Sequence, residues 1–171
     1  RLCMASAVAG YRTSLGSDGP PACYEDVDLA DVVLIVGANM AEAHPVLFER
    51  LKARKRRDPG SVTIVAVDPR RTPTVEIADV HLQLSPGSDI ALFNAIAAGL
   101  IRRGAVCREF VDAHTEGFAE FASFVLEQGC AEAITGLHDE AVARVVRLLA
   151  GARSFLSLYC MGTNQSTVGM W

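Results

Sequence analysis

The chain has 171 residues, half of them apolar, and 16 Lys and Arg against 20 Asp and Glu leave a formal charge of -4. That length suits one α/β domain burying roughly 70% of its unfolded surface, while the acidic balance argues against a general nucleic-acid binder. No segment approaches the roughly 20 uncharged apolar residues of a membrane span, so transmembrane, collagen, coiled-coil and disordered classes are excluded.

Residues 4–9 are compatible with a short helix, and Ser14-Leu15-Gly16-Ser17-Asp18-Gly19-Pro20-Pro21 reads as a loop. Val32-Val33-Leu34-Ile35-Val36 is an uninterrupted run closed by Gly37, the pattern of a strand covered on both faces. Pro45 suits the first turn of a helix, where its missing N–H costs nothing. Val46, Leu47, Leu51 and Phe48 supply its apolar stripe, and it stops near Asp58-Pro59-Gly60. The cations Arg50, Lys52, Arg54, Lys55, Arg56 and Arg57 are expected to form its solvated face, favourable at a helix C-terminus. Residues 62–67 form a second buried strand, completing a βαβ unit.

Residues 79–84 alternate as a third strand, with Val80, Leu82 and Leu84 on one face. Asp89 is expected to cap a helix reaching about Arg103, with Ile90, Leu92, Phe93, Ile96, Ala97 and Leu100 inward. Residues 108–113, 116–126 and 139–150 read as further helices, the last burying Val142, Val145, Val146, Leu148 and Leu149. A strand returns over residues 155–159 and breaks at Gly162. The fold expected is a Rossmann-like three-layer α/β domain: a mostly parallel sheet with flanking helices, in one unit over residues 1–171.

Cys3, Cys23, Cys107, Cys130 and Cys160 are odd in number and contain no CxxC pair. A disulfide framework is disfavoured, and so is a zinc or iron–sulfur site within the chain. The thiols are expected mostly as small buried hydrophobes in a reducing compartment. A cytoplasmic location follows, or a periplasmic one if a targeting region precedes Arg1. Neither end resembles a natural terminus, so a piece of a larger protein is expected. An exposed apolar patch, prone to self-association, is expected where its other domains dock.

In an open parallel sheet, ligands bind beyond the carboxyl ends of the strands. Unusual polar groups cluster at these ends: Gly37-Ala38-Asn39 through Glu42, Asp68-Pro69-Arg70-Arg71-Thr72, Gly162-Thr163-Asn164-Gln165, and Pro86-Gly87-Ser88-Asp89 before the following helix. Gly37 permits close backbone approach. Asp68 and Asp89 can accept from ribose hydroxyls or guanine nitrogens, and Arg70 or Arg71 can neutralise a pyrophosphate. Each feature alone is also an ordinary turn or cap; together they describe a surface for a large phosphorylated nucleotide. Gly37-Ala38-Asn39 lacks the GxGxxG spacing of a nicotinamide site. Cys3, followed by Met4 and small residues, is a thiolate able to reach a soft metal.

Arg1-Leu2-Cys3-Met4-Ala5-Ser6-Ala7, then Gly16, Pro20-Pro21 and Cys23-Tyr24-Glu25-Asp26, resemble the molybdopterin oxidoreductase family. Three further blocks carry the likeness: residues 37–45, residues 67–72, and Tyr159-Cys160-Met161-Gly162-Thr163-Asn164-Gln165-Ser166-Thr167. It extends over essentially the whole chain and favours nitrate reductases, assimilatory first and periplasmic next. The resemblance implies that Cys3 ligates molybdenum and that Met4 lies beside a substrate channel. It implies that Val36, Gly37, Ala38, Asn39, Met40, Ala41, Glu42 and Ala43 hold a molybdopterin guanine dinucleotide, with Asp68, Pro69, Arg70, Arg71, Thr72, Gly87, Ser88 and Asp89. Met161 and Gln165 match contacts near the metal-bearing end. The implied cofactors are molybdenum bis(molybdopterin guanine dinucleotide) and a 4Fe-4S centre in an N-terminal part that this sequence lacks, and the isolated piece is expected to be apo. The implied reaction is reduction of nitrate to nitrite by oxygen-atom transfer, served by an electron-donor protein and the remaining domains of the subunit. A formate dehydrogenase, or a nucleotide-binding module without turnover, is the alternative.

Overall fold

The structure, a computed structural model, describes residues 3–166. Arg1, Leu2 and Thr167 of the blocks quoted above lie outside the described residues. Four strands, β1 (Val32–Val36), β2 (Thr63–Val67), β3 (Val80–Leu82) and β4 (Phe155–Tyr159), form one sheet in the order β3-β2-β1-β4, and every pairing is parallel. Val32 stands opposite Thr63 on one side and Phe155 on the other, so β1 is central.

The unbroken apolar run of β1 is explained by two cores. Val32, Leu34 and Val36 join Leu92 and Ile96 of α5 (Asp89–Arg102) and Val142, Val145 and Val146 of the helix Asp139–Gly151. Val33 and Ile35 point the other way, onto Val27 of α2 (Asp26–Leu29) and Phe48 and Leu51 of α4 (Pro45–Arg57). Burial on both faces stabilises each such side chain by roughly 1.5–3 kcal/mol, and it makes the domain a three-layer, Rossmann-like α/β fold. The remaining helices are α1 (Ala5–Leu15), α3 (Met40–Ala43), α6 (Arg108–His114), α7 (Phe118–Glu127), α8 (Glu132–Thr135), α10 (Met161–Asn164), and a 3-10 turn at Pro73–Ile77; Asp139–Gly151 is α9. Among the described residues no helix is long and apolar enough to cross a membrane.

Several expectations are corrected. The first helix begins at Ala5 and continues to Leu15, because Gly16 closes it with φ +77 and an N–H bonded to Arg12 O at 3.1 Å. Val46 is 82% exposed: Phe48, Leu51 and Arg54 repeat every three residues, and two residues back from Phe48 is the opposite face. Arg54 is not part of the solvated face. It is 7% exposed and its guanidinium donates to Val27 O at 2.8 Å and to Ser61 O, tying α4 to α2 and to the turn before β2. Asp89 is the first residue of α5 and not its cap. Gly87, with φ +82, turns the chain, and the cap position falls to Ser88, whose hydroxyl donates to Ser85 O at 2.6 Å. The thiols are not buried hydrophobes: Cys3, Cys23, Cys107 and Cys130 are exposed and Cys160 is half-buried. Phe110, Phe121, Phe124 and Ile134 are exposed on α6, α7 and α8.

Candidate functional site

Strand order locates the site. The chain proceeds from β1 to β2 and β3 on one side of the sheet and returns to the other side with β4, so the segments leaving β1 and β4 diverge. Ligands bind in the crevice at such a reversal, outside the carboxyl ends of the strands.

Two glycines meet at the carboxyl ends of β1 and β4. Gly37 leaves β1 with φ +52, a conformation that favours glycine. Gly162 N–H donates to Gly37 O at 3.0 Å, and Gly37 N–H donates to Val67 O at 2.9 Å. A Cβ on Gly162 would lie 2.6 Å from Gly37 Cα, so the two backbones touch where side chains cannot fit. The sequence marks Gly162 as a strand breaker and as the head of the strand-end group 162–165; its contact with Gly37 spans 125 residues and leaves no local signal.

The loop after β1 is braced from the side. Thr74 Oγ1 accepts from Ala41 N–H at 3.0 Å and donates to Asn39 Oδ1 at 2.9 Å, so the Pro73–Ile77 turn holds the 39–41 segment. Ala38 and Met40 are buried, while Glu42 and Ala43 face solvent. Thr74 was not singled out from the sequence; a buried threonine beside an asparagine loop is visible only once both are placed.

The loop after β2 is self-supporting. Asp68 Oδ1 accepts from Arg70 N–H at 2.8 Å, the His81 ring nitrogen meets Asp68 O at 2.8 Å, and Gln83 donates to Pro69 O at 2.9 Å. Arg70 and Arg71 are exposed and neither has an ion pair among the described residues. Thr72 is 6% exposed and its hydroxyl has no hydrogen-bond partner among the described residues. Burial at the head of α5 raises the Asp89 carboxyl above its ordinary range, and the charge of Asp68 adds to the effect. The two acids therefore share one electrostatic neighbourhood.

The loop after β4 is short, because α10 begins at Met161. Asn164 is 7% exposed, and its Oδ1 also lacks a partner among the described residues. Its backbone oxygen accepts from Ser6 Oγ at 2.6 Å, which fastens α1 to α10. The head of α1 is thereby brought to the crevice: Gln165 Nε2 donates to Cys3 Sγ at 3.6 Å. Met4 and Met161 are exposed. Met4 also lines a cavity of about 310 Å³ with Ala7, Tyr11, Tyr159 and Asn164. Burial, aided by Tyr11, raises the Tyr159 phenol well above its ordinary range.

The structure thus gathers residues from the β1, β2 and β4 ends, the turn before α5 and the head of α1 at the carboxyl end of the sheet. A second cavity, about 500 Å³ between α5, α7, α8 and α9, contains none of the residues singled out from the sequence as a site. At its rim the donor atoms of Cys130, Glu132 and Asp139 lie within 4.8 Å of one another, with Cys130 and Asp139 exposed.

The profile of the family described as Molybdopterin oxidoreductase matches residues 1–117. The chain is 41% identical to the nitrate reductase of Synechocystis sp., over 99% of its own length and 24% of that protein. It is 33% identical to a formate dehydrogenase subunit alpha of Methanocaldococcus jannaschii, over 99% of the chain and 25% of that subunit. Among solved structures, acetylene hydratase from Pelobacter acetylenicus matches with a TM-score of 0.85 and 26% identity, covering 99% of this chain and 23% of that one. The chain spans about a quarter of the length of these relatives.

Proposed function

The chain belongs to the molybdopterin oxidoreductase family, and from that premise we propose that it is the cofactor-binding domain of a molybdenum enzyme that reduces nitrate to nitrite. The observation that carries the proposal is the meeting of Cys3 with Gln165 at the strand-order reversal, 162 residues apart in sequence. The contact supports the reading of Cys3 as a ligand, because ligands of this fold class bind beyond the carboxyl ends of the strands.

The residues present suit a pterin guanine dinucleotide. Asp68 and Asp89 offer the acceptors that guanine N–H groups need, and Arg70 and Arg71, without an ion pair among the described residues, offer cations for a pyrophosphate. The partnerless buried oxygens of Thr72 and Asn164 are the kind of group that a polar ligand satisfies. The space around Gly87 is open, with nothing within 4 Å of where a Cβ would stand, so a ligand can approach its backbone.

Molybdenum held by two such pterins supplies two-electron oxygen-atom transfer when bound. The part of this chain is ligation and orientation. The Cys3 thiolate is the soft protein ligand to the metal. Residues 36–43, 68–72 and 87–89 grip the nucleotide end of the cofactor, while Met161 and Gln165 stand at the metal end. Met4 contributes an apolar wall to the substrate approach. Asp89, raised by its burial, gains from the N–H donors of a guanine, which favour its charged form. The rest of the cofactor's enclosure, the 4Fe-4S centre and the electron-donor protein are assigned to segments and partners outside these residues.

Nitrate is favoured over formate because identity to the cyanobacterial nitrate reductase is 41% against 33% for the formate dehydrogenase subunit. The test is a pair of assays on the full-length molybdenum-loaded enzyme: nitrite production with a reduced viologen donor, and formate-dependent dye reduction. Nitrite without formate oxidation is expected, with turnover collapsing in Cys3→Ser. Formate oxidation in the absence of nitrite production would overturn the nitrate assignment, and normal turnover of Cys3→Ser with molybdenum retained would overturn the ligand assignment.

A further inference from the structure

We infer that Gln165 is a positioning residue for the Cys3 thiolate: its side-chain amide holds the sulfur in one direction and moderates the electron density it gives the metal. The inference rests on the reading above that Cys3 is the metal ligand.

The contact itself is Gln165 Nε2 to Cys3 Sγ at 3.6 Å, with the amide donating. Its significance comes from how firmly both partners are placed. Gln165 follows α10, and its own N–H donates to Met161 O at 3.1 Å. About one turn earlier Gly162 N–H is fixed to Gly37 O at 3.0 Å, and the preceding residue's N–H, that of Asn164, donates to Cys160 O at 3.0 Å. The donor is thus mounted on the end of β4 and braced against the end of β1. The residues that follow Cys3 are held from the other side, since Ser6 Oγ donates to Asn164 O at 2.6 Å and Val8 N–H donates to Met4 O at 3.1 Å. The sulfur and the amide therefore flank two helices that are tied together, Cys3 just before α1 and Gln165 just after α10, with the hydrogen bond between them at the exposed rim where a ligand can reach the thiol.

The sequence neighbours Ala5 and Ser6 of the Cys3 segment are small. The Gln165 amide is the one side-chain donor that reaches Cys3 Sγ among the described residues. A hydrogen bond to a thiolate withdraws electron density from the sulfur, and such outer partners tune both ligand basicity and reduction potential. Gln165 also bears no charge, so it directs the sulfur without competing for the metal.

The experiment uses the full-length molybdenum-loaded enzyme with Gln165→Leu, which removes the donor at similar size, and Gln165→Glu, which replaces it with an acceptor. The readout is the Mo(VI)/Mo(V) midpoint potential and the Mo(V) electron paramagnetic resonance spectrum, alongside metal content and thermal unfolding. Gln165 is exposed, so both variants are expected to fold and to retain molybdenum. The potential should fall in Gln165→Leu and fall further in Gln165→Glu, with an altered Mo(V) spectrum and roughly 10- to 100-fold slower turnover. An unchanged potential and spectrum in Gln165→Leu would overturn the inference. Cys3→Ser, measured in parallel, separates the two levels. If it alters the Mo(V) spectrum while Gln165→Leu does not, only the positioning role fails. If neither variant alters it, the ligand assignment fails as well.

Discussion

Replacing Gly162 by alanine should separate the ends of β1 and β4. The new Cβ would lie 2.6 Å from Gly37 Cα, 2.8 Å from Gly37 O and 3.1 Å from Gly37 C. Carbon atoms rest comfortably at about 3.5–4.0 Å, so the overlap is close to an ångström. All three neighbours are backbone, and no rotamer change relieves it. The remaining escape is for α10 to swing away from β1, which stretches the Gly162 N–H bond to Gly37 O. Overpacking of this kind costs about 1–3 kcal/mol and a lost backbone hydrogen bond about 1 kcal/mol. A loss of roughly 3 kcal/mol is expected, which in a domain of this size lowers Tm by about 6–12 °C. Gly151→Ala is the control: nothing lies within 4 Å of its Cβ position in the last turn of α9, and its φ is ordinary. That change should stabilise by about 0.5 kcal/mol through reduced freedom of the unfolded chain. Urea unfolding followed by circular dichroism measures both. A Gly162→Ala protein within 0.5 kcal/mol of the parent would refute the argument that these two backbones are in obligatory contact.

Other consequences are equally direct. Arg54→Met strips two backbone oxygens, Val27 O and Ser61 O, of their buried donor and should cost about 2–3 kcal/mol in urea unfolding; Arg56→Met, at an exposed position in the same run, should stay within about 0.5 kcal/mol. Gly99→Ala places a Cβ 2.7 Å from Val146 Cγ2, and the stiff valine cannot turn aside. A net loss of about 1–2 kcal/mol is expected, and it should become a gain of about 0.5–1 kcal/mol in a Val146→Ala background, where helix propensity decides. The Asp89 carboxyl is raised by burial and by Asp68, so the folded state holds its proton more tightly than the unfolded state does. Stability therefore begins to fall as pH rises past the unfolded pKa and the full cost is reached above the folded pKa, with none below the unfolded value. Asp89→Asn should then be more stable than the parent at neutral pH, with the advantage disappearing below about pH 3.5; an advantage that persists or grows in acid would contradict the assignment.

Local pattern sufficed for much of the architecture. The residues of β1 and β4, the start of α4 at Pro45 and the inward faces of α5 and α9 are legible because burial imposes a period on adjacent residues, and the period survives in the sequence. The strand-end groups Asp68, Arg70, Arg71 and Asp89 were legible for a similar reason, since turn chemistry after a strand is local. Boundaries and reversals within elements were less so. Val46 looks like core until Phe48, Leu51 and Arg54 set the phase of the helix, and Arg54 looks like surface until Val27 O and Ser61 O are seen to need a donor. Cys23, Cys107 and Cys130, expected among the buried thiols, stand at the surface, because a cysteine's side chain is too small to carry a periodic signal of its own.

What only the tertiary structure decided is which distant pieces touch. The order β3-β2-β1-β4 puts the chain's last strand beside its first, and that adjacency alone brings Gly162 onto Gly37, Ser6 onto Asn164 and Gln165 onto Cys3. None of these pairs leaves a trace in local spacing. Each is a contact across more than 120 residues, between backbones or single polar atoms, whose energy depends on geometry set by the whole sheet. The amino-acid pattern determines that strands and helices of this kind form and where polar groups follow them; the parallel pairing of β4 with β1 determines that the segments leaving those two strands meet at one end of the sheet, because hydrogen bonding between strands is indifferent to the distance along the chain that separates them.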